Sequence, residues 1–130
     1  MHVEVFAICD AASQSHGKIN ILGTFDTVWA KKVPTELAHC AIAVRLRFNG
    51  IEQGVHHINI QIVDQDGKLV LRLLDQKMPF NMKAEEHTST LNLVVNMHRL
   101  KLEQFGAYSI SLVINGRAMM SLPLFIRKRP

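Results

Sequence analysis

Seven histidines, two cysteines and eleven acids make metal binding the first chemistry to test on this sequence. His56 and His57 are adjacent, and neighbours on an extended strand point to opposite faces, so the two cannot close on one ion. No His-x-His pair occurs, and Cys9 and Cys40 lack a partner at zinc-finger spacing. A site assembled from separate strands, His39 with His57 or His87, is the arrangement left open, and solvent-facing histidines are the simpler account. Asp64-Gln65-Asp66-Gly67 opens like a calcium loop. That pattern then requires a third oxygen ligand before its glycine and a closing glutamate. Residues 69–74 are instead Leu-Val-Leu-Arg-Leu-Leu, a hydrophobic strand, so the segment reads as a hairpin turn.

Nucleophilic and acid–base chemistry find no better footing. There is no Gly-x-Ser-x-Gly elbow, and Cys9 and Cys40 sit in apolar stretches, where a thiol pKa rises. Asp10, Asp26, Asp64, Asp66 and Asp75 include enough carboxylates for a glycosidase-like pair. Turn and strand-end positions account for most of them. The seven glycines are scattered singly, so no phosphate-binding loop is present. Catalytic residues, metal ligands and cofactors are therefore all assigned as none.

Binding surfaces remain. Trp29, followed by Lys31 and Lys32, is the one candidate for an exposed ring, and packing beneath the following loop is its simpler role. Arg45 and Arg47 share one face of a strand, about 7 Å apart by strand rise. They suit either an acidic partner or plain solvation. The run Ala118 to Ile126 is apolar on both faces, and residues 69–74 are nearly so. Such strands must be covered by the domain's own loops or by a second subunit. Met119, Leu122, Leu124 and Phe125 are accordingly the candidate interface, with a homodimer or another protein as the partner.

The elements that would position these residues are strands. Cys40, Ile42, Val44, Leu46 and Phe48 alternate with Arg45 and Arg47, the period-two signature of a half-buried strand. Ile58/Ile60/Ile62, Leu91/Leu93/Val95/Met97 and Tyr108/Ile110/Leu112/Ile114 repeat it. Asp66-Gly67 and Asn115-Gly116 stand between such runs as hairpin turns. Gly23, inside the apolar segment from Ile19 to Phe25, signals a bulge or a strand changing sheets. Pro123 makes the last run an edge strand or a bulged one. Residues 31–38 and 98–105 each have room for one helical turn. The pattern predicts an all-β, antiparallel β-sandwich of about seven to nine strands.

A chain of 130 residues fits one domain, here residues 1–126 with a basic tail at 127–130. Its composition, 48% hydrophobic and 20% charged, is that of a globular protein with no membrane-spanning run. Formal net charge is +4, but Arg127, Lys128 and Arg129 supply three of those charges, so the body is near neutral. No nucleic-acid partner is expected on that ground, nor on the aromatics, since stacking platforms usually need two or three exposed rings and Trp29 is the one candidate. The start lacks a basic leader, and two cysteines in strand patterns suit reduced, buried thiols in the cytoplasm.

One set of residues carries a resemblance. It comprises Cys9-Asp10, Gly17-Lys18-Ile19-Asn20-Ile21-Leu22-Gly23 with Phe25 and Asp26, Pro34, and Ile42-Ala43-Val44-Arg45-Leu46. Asp64-x-Asp66-Gly67, Gly106-x-Tyr108 and Asn115-Gly116 complete it. Together they resemble an uncharacterised bacterial family of small immunoglobulin-like β-sandwich proteins, a domain of unknown function, over nearly the whole chain. Where such relatives often place a proline before the Gly-x-Tyr pair, this chain has Phe105. The resemblance implies the fold and supplies no catalytic residue. The expected function is a non-catalytic protein–protein interaction or assembly module, with a small-molecule, glycan or metal-binding module as the alternative.

Overall fold

A computed structural model describes residues 1–130. Nine strands are present: β1 (His2–Ser15), β2 (Lys18–Thr24), β3 (Thr27–Ala30), β4 (Thr35–Asn49), β5 (Gly54–Asp64), β6 (Leu69–Phe80), β7 (Thr88–Leu102), β8 (Gly106–Ile114) and β9 (Arg117–Lys128). They form a four-stranded sheet in the order β2-β1-β4-β7 and a five-stranded sheet in the order β3-β9-β8-β5-β6. Every pairing is antiparallel except β3 with β9, which is parallel. No helix is long and apolar enough to cross a membrane.

The core lies between the sheets, and period-two alternation builds it. Ile42, Val44 and Leu46 of β4 face Ile58, Ile60 and Ile62 of β5 and Ile110 and Leu112 of β8, all with no exposed surface. Tyr108 closes one end. Its hydroxyl donates to the Gln104 carbonyl at 2.9 Å and accepts from the Gln104 amide at 3.2 Å. That bond, from the start of β8 back across the corner, is the tyrosine corner of immunoglobulin-like sandwiches.

Neither short helical turn forms. Residues 31–34 bend into β4 through a cis Val33–Pro34 peptide. Residues 98–102 continue β7, with Arg99 at φ +57°. Leu100 and Leu102 are buried, so two-residue alternation wins over the three-residue spacing of Leu102 and Phe105. The only helical turn is Gly50–Glu52, capped by Asn49, whose side chain accepts from the amides of Ile51 and Glu52.

Gly23 does mark a change of sheet. Just beyond it the Phe25 amide donates to Ile8 of β1 in one sheet, and Asp26 accepts from Phe125 of β9 in the other. Ahead of this crossing, the β1–β2 hairpin curls over the outer face of its own sheet. Arg45 donates to the carbonyl of the turn residue Gly17 at 3.1 Å. Ala41 and Ala43, which face outward from β4, are fully buried.

Candidate functional site

Arg45 and Arg47 do not form a free basic face. A bulge at Glu4 restores the parity that lets Val3 and Phe6, three residues apart, both pack against the core. Glu4 thereby reaches both arginines. Its carboxylate accepts from Arg45 at 2.9 Å and from Arg47 at 2.7 Å. Asn92 and Thr88 of β7 accept one further bond each. Hydrogen bonds from Arg47 and then Arg45 hold the Glu4 carboxyl below its ordinary range, and Arg47 is raised in return. Because the folded pKa is depressed, Glu4 contributes stability above the ordinary glutamate range, and loses it as pH falls through the lower, folded value. Thermal melts between pH 3 and 6 should therefore flatten in Glu4→Gln relative to the native chain, with the native chain more stable at neutral pH.

The thiols are structural. Cys9 and Cys40 are free and buried. Burial pushes the Cys40 thiol up to about 11 and raises Cys9 as well, so neither is a nucleophile at neutral pH. The histidines do not converge with one another or with acids in groups of three or more. His39 lies against His98 and the Asp10 carbonyl, whereas His57 pairs with Asp75. Asp64 binds the amides of Asp66 and Lys68 within the hairpin turn, as its sequence context implies.

Of the apolar run in β9, Leu124 is fully buried in the chain's own core, as is Ile126. Leu124 is thus unavailable as an interface residue. Met119 and Leu122 pack half-buried on the core's margin, and Phe125 lies on the outer face with the Arg127 guanidinium 4.8 Å above its ring. β3 covers only Phe125–Lys128, and Pro123 sits where no ladder bond from its nitrogen is required.

On β9 only Met120 is an exposed large apolar residue; a run of three consecutive ones lies at the opposite edge, on β6. Leu69, Val70 and Leu71 are 49%, 40% and 44% exposed, and Phe105 is 37% exposed. Two clefts meet at Val70. One, of about 340 Å³, joins Val70 and Phe105 to Asp64, Asp66 and Glu103. The other, of about 430 Å³, runs between β6 and β7 and joins Val70, Leu71 and Leu73 to Met97 and Leu100, with Arg72, Arg99 and Lys101 on its rim. The first cleft is rimmed by acids, whereas the cations of the second are each paired within the chain, Arg72 with Asp75, Arg99 with Glu36 and Lys101 with Glu103. Val70 and Leu73 are extra residues in the β5–β6 register, two bulges that disrupt the edge as a template for main-chain pairing. Residues 69–74 signalled this strip in sequence by their lack of alternation; Phe105, brought in by the loop before β8, carried no such signal.

Trp29 is not a core anchor. Val28 and Ala30 take the inward positions of β3, and alternation turns Trp29 outward, 53% exposed.

Two packed sheets and a tyrosine corner define the class: an immunoglobulin-like β-sandwich. Residues 4–127 match the model of the Family of unknown function (DUF6941), and the chain belongs to that family. Among solved structures, the alkylpurine DNA glycosylase AlkC of Pseudomonas fluorescens, bound to DNA containing an abasic site analogue, is similar with a TM-score of 0.57 at 9% identity. The match covers 97% of this chain and 30% of that one, so the likeness is to less than a third of the glycosylase and concerns the fold. An immunoglobulin-like protein from Pseudomonas aeruginosa aligns with a TM-score of 0.38 at 12% identity, over 97% of this chain and 95% of that one. No curated protein matches the chain.

Proposed function

We propose that the domain is a non-catalytic assembly module whose β6 edge docks a second copy of the same chain. The observation that carries this reading is the exposed strip Leu69–Leu71 with Phe105, flanked on one side by Asp64 and Asp66 and on the other by Arg72, Arg99 and Lys101. A twofold axis across the strip buries the same apolar residues of both copies against each other, as an isologous interface does. The two thiols are locked by burial, which removes them as nucleophiles and favours a structural role for them. Two free, buried cysteines accord with a reducing compartment such as the cytoplasm.

Sedimentation velocity over a dilution series tests the reading. The native chain should sediment as a dimer, and Val70→Asp/Leu71→Asp as a monomer with an unchanged melting temperature for the subunit. A native chain that stays monomeric throughout would overturn it.

A further inference from the structure

The parallel β3–β9 pair brings together two basic segments almost a hundred residues apart in sequence. Trp29 lies opposite Arg127, Ala30 lies opposite Lys128, and the Arg129 amide donates to the Ala30 carbonyl at 2.8 Å. Because the strands run the same way, Lys31 and Lys32 leave β3 at the end where Arg127, Lys128 and Arg129 leave β9. An antiparallel pair would have sent them to opposite ends. All five cations are exposed except Arg127's stem, which rests on Phe125, and none is in an ion pair. The rest of the chain carries ten Lys and Arg against eleven acids, so the protein's whole positive excess is in this one corner. The chain's single tryptophan shares the outward face with Arg127, its neighbour in register, and is half exposed, whereas Lys128 alternates to the other face with Ala30.

We propose that this corner binds single-stranded nucleic acid, with an unpaired base stacked on Trp29 and phosphates on Arg127 beside it and on the flanking cations. Cations alone would suit any polyanion; an outward indole among them adds the flat apolar face that unpaired bases use and acidic peptides lack. A duplex keeps its bases stacked on one another and offers that indole nothing comparable. The expectation of no nucleic-acid partner rested on a near-neutral body, an isolated basic tail and too few exposed rings. The body stays near neutral, but the parallel pairing joins the tail to Lys31 and Lys32, and Trp29 turns outward beside them. This surface is at the opposite edge of the five-stranded sheet from β6, so it does not depend on dimerisation.

Trp29 is also the reporter. Titrating the native protein with an oligothymidylate at low salt should quench its emission. The logarithm of affinity should fall against the logarithm of salt with a slope of roughly −0.7 per phosphate engaged. With a dye-labelled oligothymidylate read by anisotropy, Trp29→Ala should weaken binding about ten-fold or more, and Lys31→Ala/Lys32→Ala should make the slope shallower by about 1.4. These side chains are exposed, so unchanged melting temperatures would certify folded variants. Polyglutamate and inorganic polyphosphate serve as competitors and should bind more weakly. Absence of quenching, full affinity in Trp29→Ala, or equal competition by polyglutamate would each overturn the proposal, the last assigning the corner to an acidic protein.

Discussion

Phe80→Ala should lower stability by about 3–5 kcal/mol, the range for emptying a fully buried phenylalanine site. Phe80 is the last residue of β6 and the only buried position in a strand whose other residues are exposed or half-exposed. Its ring lies 4.9 Å from that of Phe48 and 4.3 Å from that of His56. His56 is itself fixed from both nitrogens: Nε2 donates to the Glu52 carbonyl, and Nδ1 accepts from Asn115. The substitution therefore empties the core and removes the pin that holds the edge strand. Denaturant unfolding should show the drop in midpoint. Hydrogen exchange should show amide protection lost first in β6, ahead of β8 and β5. If the proposed dimer forms through β6, dissociation should accompany this loss. A cost below about 1 kcal/mol would mean that β6 is anchored elsewhere.

Gly23→Val should cost about 1–3 kcal/mol in backbone strain alone, with a steric contribution added to it. Gly23 has φ +70°, and a Cβ built there meets the Asp10 carboxylate at 2.5 Å. A β-branched residue is a genuine outlier in that backbone region. The two contributions separate in an Asp10→Ala background. There the clash is relieved and the strain remains, so the double variant should recover part of the loss in urea midpoint and not all of it. Full recovery would refute the requirement for a left-handed residue at the point where the chain leaves one sheet for the other.

The strands were legible in the sequence because alternation is local. Each inward residue from Cys40 to Phe48 is read from its own neighbours, and the hairpins from their own Asp-Gly and Asn-Gly turns. The sheet change at Gly23 was legible for the same reason, a glycine where an apolar strand has no other use for one. Segment 98–105 misled because Leu102 and Phe105 fit a helical spacing over a stretch too short to settle the period, and pairing with β4 decided it.

What the sequence by itself determined about this protein is its class: one all-β sandwich with its family signature spread along nearly the whole chain. Tertiary structure alone decided which surfaces are free. Glu4 is far from Arg45 and Arg47 in sequence, and only β1–β4 pairing cancels their charge. Leu124 and Trp29 each sit in an apolar-looking stretch, and only the sheet's two faces send one into the core and the other into solvent. The five cations fall in two segments with no local relation, and the direction of a single strand pair puts them side by side. Patterning is a property of neighbours along the chain, whereas a surface is a property of neighbours across it.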